Sequence, residues 1–190
     1  MAALMISLPS EVANLFDVEI QGGEKEINKH VTILYLGDHF DKALVGDVVT
    51  ATYEVLANTP PIVMSCHQIS EFSPKGDSKP VICPVESAGL HTLRSELVRA
   101  LHENGIEHDN KYPEFKPHVT LGFYGPKTKY PQKLKSPVTW TVGEVSLWCA
   151  DRGDGELRVD FQLGSALKVA TSNPKGALFR ALVRLANYSR

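Results

Sequence analysis

The chain has 190 residues, of which 43% are hydrophobic and 22% are charged, and its net charge is −2 at pH 7. This length and composition are typical of one globular domain with a sizeable core. A slightly acidic chain is not a general nucleic-acid binder, and the sequence contains no apolar run of about 18 residues that could span a membrane. We therefore expect a cytoplasmic protein.

Strand and helix signals alternate through the first half of the chain. Residues 4–8 and 31–36 are short segments rich in β-formers, and a brief helix is predicted between them over residues 11–16. Residues 41–56 carry apolar side chains at spacings of 4, 3 and 4, which indicates an amphipathic helix. Residues 62–72 are then predicted to form a strand.

The second half continues the alternation. A strand at residues 81–85 precedes a helix that Ser87 caps and Gly105 ends, with leucines on its buried stripe. Another strand is predicted at residues 119–124, and residues 126–137, which include three prolines, are predicted to be a surface connection. The remaining predicted strands are 138–141, 145–149 and 156–163, with a hairpin turn at 151–155. This order predicts an α+β fold of two similar lobes, each a sheet with a helix on its back.

Two segments of the chain are nearly identical, and each begins with His-Val-Thr. They are His30-Val-Thr-Ile-Leu-Tyr-Leu-Gly37 and His118-Val-Thr-Leu-Gly-Phe-Tyr-Gly125. Alternate side chains of a strand share a face, so each histidine and its threonine point the same way. If the two strands meet, two imidazoles that move protons near neutral pH and two hydroxyls that bind anionic oxygens converge. The pair therefore predicts acid–base chemistry at a phosphorus or carbonyl centre.

The paired motif resembles the signature of the two-histidine (2H) phosphoesterase superfamily, which includes the 2′-5′ RNA ligase-like and cyclic phosphodiesterase proteins. The segment Phe115-Lys-Pro-His118-Val-Thr-Leu121 is similar to the family's usual approach to its second motif. The opening Met5-Ile-Ser-Leu-Pro-Ser-Glu-Val12 also resembles a family start, and the resemblance covers residues 4–164. It implies a bilobal, pseudo-twofold α+β fold, in which each lobe is an antiparallel-rich sheet backed by helices and the active cleft lies between the lobes.

The resemblance implies a phosphoric diester hydrolase that uses neither a metal nor another cofactor. His30 and His118 are the expected general base and general acid, in an order that the sequence does not decide. Thr32 and Thr120 are expected to hold the non-bridging phosphate oxygens. The sequence has no zinc-ligand pattern, no Gly-rich phosphate loop and no dinucleotide motif, which agrees with this expectation.

Three substrates fit the resemblance: a 2′,3′-cyclic phosphate, a 2′-5′ oligonucleotide, and a cyclic oligonucleotide signal of the kind that phage-encoded relatives degrade to blunt bacterial immunity. The expected partner is therefore a small nucleotide, a cyclic oligonucleotide or an RNA end, and no obligate protein partner is indicated. The main alternative is a non-catalytic RNA- or nucleotide-binding module of the same fold. RNA ligation is a weaker alternative, because it could only reverse the cleavage step.

Three further residues are candidates for substrate binding. Tyr124 has the strand parity of the second-motif histidine, so its ring can stack on a base, whereas Tyr35 has the opposite parity within its own motif and is predicted to lie in the core. Trp148 lies on a late strand that borders the expected cleft, and Arg152 lies in a turn from which it can reach a phosphate. The alternatives are a core position for Tyr124 and Trp148 and an ordinary turn position for Arg152.

The cysteines and the end of the chain carry two more predictions. Cys66, Cys83 and Cys149 form no Cys-x-x-Cys pair, so we expect free, mostly buried thiols in a reducing compartment. Residues 1–164 are assigned to the phosphoesterase domain. Residues 165–190 are a basic extension with a short amphipathic helix, which packs on the domain or contacts a partner, a nucleic acid or a membrane surface.

Overall fold

The structure, a computed structural model, describes residues 1–74, 76–111, 113–150, 156–164 and 170–171. The helices within these residues are α1 Ser10–Ala13, α2 Val45–Asn58 and α3 Ala88–Glu103, and 3₁₀ turns span Asn14–Phe16 and Lys42–Leu44. The strands are β1 Ala2–Ser7, β2 Gly23–Lys25, β3 His30–Gly37, β4 Ile62–Gln68, β5 Ser70–Glu71, β6 Lys79–Pro84, β7 His118–Tyr124, β8 Lys133–Val142, β9 Glu144–Ala150, β10 Glu156–Gln162 and β11 Ala170–Thr171.

The strands form antiparallel sheets, and the two histidine motifs lie in different sheets. The first sheet has the order β11-β10-β9-β1-β3, the second β2-β7-β6-β5, and the third pairs β4 with β8. β3 also contacts β7, which joins the first two sheets at their motif strands. This combination of antiparallel sheets and few helices confirms the predicted α+β class. The pseudo-twofold division into two lobes stays a prediction.

The two longer helices pack on each other and on the sheets. Ser87 caps α3 by accepting a hydrogen bond from the Leu90 backbone N–H at 3.3 Å, as the sequence predicted. The leucines on the inner face of α3 are buried, and the helix contacts α2, β3 and β4. α2 in turn contacts β10 of the first sheet. Because α3 lies against β3, its apolar face supports the strand that carries the first motif.

Two strand boundaries differ from the prediction. The strand expected at residues 62–72 is divided into β4 and β5 at Ile69, whose backbone N–H donates to the Gln132 carbonyl at 2.9 Å. β8 begins at Lys133, inside the segment that was expected to be a surface connection. Pro137 is compatible with this strand because it lies where the pairing of β4 with β8 is irregular.

Two of the three cysteines form a disulfide, which corrects the prediction of free thiols. The sulfur atoms of Cys66 and Cys83 are 1.97 Å apart, and their bond ties β4 to β6 close to the bridge between Ser65 and Glu86. The spacing of the cysteines along the chain hides this pair, because their strands meet only in the fold. Cys149 is free and buried as predicted, and burial raises the pKa of its thiol to about 11.

Most of the C-terminal extension lies outside the described residues, and so does the amphipathic helix predicted within it. The described part is β11, which pairs with β10 at Val159 and Asp160. The hairpin turn predicted at residues 151–155 also lies outside the described residues. In the part of the chain that the structure describes, no helix is both long and apolar enough to cross a membrane.

Candidate active site

The two motif histidines open neighbouring strands. His30 is the first residue of β3 and His118 is the first residue of β7, and these strands contact each other. Both side chains are half-buried. The positive charge of His30 is one of the causes that lower the pKa of His118, an effect that requires proximity. The structure therefore brings together the two imidazoles that the sequence predicted to act as a pair.

Each imidazole is held by the backbone carbonyl two residues before it. The Nδ1 atom of His30 lies 2.7 Å from the Asn28 oxygen, and that of His118 lies 2.7 Å from the Lys116 oxygen. A carbonyl oxygen only accepts hydrogen bonds, so Nδ1 carries a hydrogen in both rings and Nε2 is the atom left for proton transfer. A neutral ring can accept a proton at Nε2, and a protonated ring can donate one from it.

Burial lowers the pKa of His118. The ring of Phe72 meets this imidazole edge to face, with a centroid distance of 4.8 Å and an interplanar angle of 88°. Loss of solvent around the ring is the largest cause of the shift, the charge of His30 acts in the same direction, and the hydrogen bond to Lys116 opposes it. A lowered pKa favours the neutral, proton-accepting form of His118 at neutral pH.

An ion pair between a buried lysine and an exposed glutamate anchors the strand next to Phe72. Lys79 is only 5% exposed, and its Nζ lies 2.5 Å from Oε2 of Glu71, the residue directly before Phe72. The ammonium also lies 5.1 Å from the centroid of the Tyr130 ring, whose hydroxyl hydrogen-bonds to Glu71. Burial raises the pKa of Tyr130 to about 12, so the hydroxyl keeps its proton for this bond. The cluster thus fixes the position of Phe72, whose ring packs against His118.

The motif threonines, Thr32 and Thr120, lie on the same faces as their histidines. Thr32 is opposite Met5 of β1, and Thr120 is opposite Ile82 of β6. Strand alternation places each hydroxyl on the side of the imidazole two residues before it. Both threonine side chains are half-buried, so part of each remains accessible to solvent.

A β-bulge follows the threonine of the second motif. Thr120 and Gly122 lie opposite the consecutive residues Ile82 and Val81 of β6, which makes Leu121 the extra residue. An extra residue shifts the register by one position, so the side chains beyond it change face.

This bulge places Tyr124 in the core, which corrects its predicted role in base stacking. The side chain is 2% exposed. Its ring lies over backbone, since a Cβ added to Gly23 or Gly122 would come within 2.2 or 2.9 Å of a ring carbon. Burial also raises the pKa of the hydroxyl. A ring enclosed in this way offers no face to a base, and strand parity could not reveal this because it assumes a regular strand.

Trp148 and Tyr35 lie on one face of the first sheet. Both are half-buried, and each is opposite Ala3, on β9 and β3 respectively. The prediction that Tyr35 lies in the core is therefore wrong. Its hydroxyl donates a hydrogen bond to the Asp38 carboxylate. A binding role for Trp148 stays a prediction. Arg152 lies outside the described residues.

Comparison with known families identifies the chain. Residues 25–154 match the model of the 2′-5′ RNA ligase superfamily. The chain belongs to this superfamily. The matched residues include both histidine motifs, and the match confirms the 2H phosphoesterase relationship that the paired motifs predicted.

Solved structures share the fold of this 2′-5′ RNA ligase superfamily member. It is similar to TT0787 of Thermus thermophilus, with 19% identity, a TM-score of 0.65, and coverage of 87% of this chain and 99% of that one. It is also similar to E. coli LigT complexed with 3′-AMP, with 16% identity, a TM-score of 0.63, and coverage of 90% and 96%. A structure described as a phosphoesterase matches with 15% identity, a TM-score of 0.65, and coverage of 90% and 96%. No curated protein sequence matches the chain significantly.

Proposed function

We propose that this protein is a phosphodiesterase in which His30 and His118 transfer the protons of the reaction. The observation that carries the proposal is the matched pair of Nδ1 anchors, which leaves Nε2 of both rings for proton transfer. Two imidazoles held in this way can act as one general base and one general acid in a single step.

The lowered pKa of His118 supports its assignment as the base. Neutral His118 accepts the proton of the nucleophile, a ribose hydroxyl or water, as the nucleophile's oxygen bonds to phosphorus. The bond from phosphorus to the leaving oxygen breaks, and His30 in its charged form donates a proton to that oxygen. A positive charge on His118 is disfavoured beside that of His30. The reaction therefore starts with a proton on His30 that can be donated and a neutral His118 that can accept one.

The motif threonines are proposed to donate hydrogen bonds to the non-bridging oxygens of the phosphate. Negative charge on these oxygens grows as the nucleophile attacks, so donors aimed at them stabilise the transition state more than the ground state. Their place beside the histidines on the motif strands supports this role.

A nucleotide diester is the proposed substrate: a 2′,3′-cyclic phosphate, a 2′-5′ oligonucleotide or a cyclic oligonucleotide signal. The superfamily name and the 3′-AMP complex of E. coli LigT support a nucleotide. The reaction is proposed to need no metal, because the two imidazoles supply both proton transfers. Among the described residues, no group of three or more His, Cys, Asp or Glu side chains could hold a metal ion.

The proposal is tested by mass spectrometry of the products formed in EDTA from each of these three substrate classes. We expect conversion of at least one substrate by the wild type, and conversion at least about 100-fold slower by His30→Ala or His118→Ala. His102→Ala is the matched control, since this exposed histidine lies on α3. Nucleotide binding without conversion of any substrate would instead support a non-catalytic binding module.

A further inference from the structure

The first motif strand carries the same bulge as the second. Thr32 and Leu34 of β3 lie opposite the consecutive residues Met5 and Leu4 of β1, so Ile33 is the extra residue. In both strands the extra residue directly follows the motif threonine. Bulges re-aim side chains near active sites, and here the same change of face occurs on both sides of the histidine pair.

The bulge in β3 brings Tyr35 onto the face of the motif. Tyr35 lies opposite Ala3, which shares a face with Met5, and Met5 lies opposite Thr32. Trp148 lies opposite Ala3 on its other side. The backbones of Tyr35 and Trp148 are therefore two strand spacings apart, which is about 10 Å. The side chain between them on this face is the methyl group of Ala3.

The bulge in β7 has the same effect on Phe123. Phe123 lies opposite Pro80, which shares a face with Ile82, and Ile82 lies opposite Thr120. The side chain of Phe123 is 44% exposed, in contrast to that of the next residue, Tyr124. Each sheet therefore presents an aromatic ring on the face that carries its histidine and threonine.

The rings lie at a similar distance from the two threonines. On β1 the positions opposite the threonine and the aromatic residue are Met5 and Ala3, and on β6 they are Ile82 and Pro80. Each pair of positions is two residues apart in sequence, which corresponds to about 7 Å along the strand. This is comparable to the span of a nucleoside measured from its phosphate. A phosphate held by the threonines can therefore place one base over each ring.

We propose that Tyr35, with Trp148 beside it, and Phe123 stack on the two bases that flank the scissile phosphate. The enzyme would then prefer a diester that joins two nucleosides to a cyclic phosphate on a single nucleoside. Stacking on aromatic rings tolerates different bases, so the preference concerns the number of nucleosides rather than their sequence. This inference rests on the proposed function.

The test compares kcat/KM for three substrates: 2′-5′ adenylyl-adenosine, cyclic di-AMP and 2′,3′-cyclic AMP. We expect the wild type to prefer one of the first two. Phe123→Leu and Tyr35→Leu should each lower kcat/KM on that substrate about 5- to 150-fold, the range for loss of one stacked base. Phe123→Trp, which keeps a ring, should recover most of the loss. Leu15→Ala is the control, since Leu15 is 59% exposed and lies outside the motif strands.

Each outcome separates this inference from the proposed function. Histidine-dependent cleavage that changes by less than about twofold in both leucine variants would overturn the stacking roles alone. A wild-type preference for 2′,3′-cyclic AMP would also overturn them. If the wild type cleaves none of the substrates, or cleaves them equally well without the histidines, the proposed function fails as well.

Discussion

Gly122, on the second motif strand, has too little room for a side chain. A Cβ added there would lie 2.5 Å from the Glu24 carbonyl oxygen and 2.9 Å from both a ring carbon and the hydroxyl of Tyr124. The carbonyl belongs to the backbone of β2, and Tyr124 is buried, so neither neighbour can yield without a wider shift. We expect Gly122→Ala to push β2 away from β7 and to displace the ring of Tyr124.

The expected cost of this change can be given as a melting temperature. Overpacking of a well-packed site costs about 1–3 kcal/mol. For a chain of this size, 1 kcal/mol changes the Tm by about 2–4 °C, so Gly122→Ala should lower the Tm by about 2–12 °C. Thermal unfolding followed by circular dichroism measures this directly. The double variant Gly122→Ala/Tyr124→Leu should lose less Tm than the two single variants together, because the smaller leucine side chain removes part of the clash.

Gly143→Ala is the matched control. A Cβ added to Gly143 would meet no atom within 4 Å, and Gly143 is not among the residues with positive φ. Alanine there restricts the unfolded chain, so we expect an unchanged Tm or a gain of up to about 1 kcal/mol in stability. Equal Tm values for Gly122→Ala and Gly143→Ala would refute the close packing of the β2 backbone and the Tyr124 ring against Gly122.

Three other changes test separate parts of the account. Valine in place of either motif threonine should lower kcat about 10²–10³-fold with a smaller change in KM, and an unchanged kcat in steady-state kinetics would exclude the proposed role. Phe72→Ala should move the acid limb of the kcat/KM–pH profile to higher pH. Burial lowers the pKa of His118, and the base must be neutral to act. The smaller side chain admits water, so the pKa of His118 should rise in the variant. An acid limb that stays in place or moves to lower pH would contradict this explanation. Titration of the denatured, unreduced protein should find one thiol, Cys149, and three thiols would show that Cys66 and Cys83 are not joined. Reduction should lower the free energy of unfolding by about 3 kcal/mol, because it releases a loop closed over a separation of 17 residues.

The sequence was sufficient to predict the histidine pair and the main helices. His30 and His118 could be found because each motif is short and begins its strand, so regular alternation holds from the histidine to the threonine. The α3 helix could be found because its leucines repeat at helical spacing between a capping serine and a glycine at φ +67°.

The sequence was insufficient where the strands are irregular or where the contact is long-range. Tyr35 and Tyr124 lie on the faces opposite to those that parity predicted, because a bulge leaves no mark in residue type. Phe72 reaches His118 through pairing of strands that are far apart in the chain. The backbone anchors of the imidazoles involve atoms that every residue carries, so no sequence pattern could have indicated them.

The most direct test of the two-histidine account is the kcat/KM of His30→Ala, His118→Ala and the double variant, measured in EDTA on the substrate that the product analysis identifies. General acid–base catalysis contributes about 10²–10⁴-fold per group, so each single variant should lose at least about 100-fold, equivalent to about 2.7 kcal/mol of barrier. The double variant should lose less than the product of the two, because both groups act in one step. A loss below about tenfold in either single variant, with the fold intact, would contradict the assignment of that histidine to proton transfer.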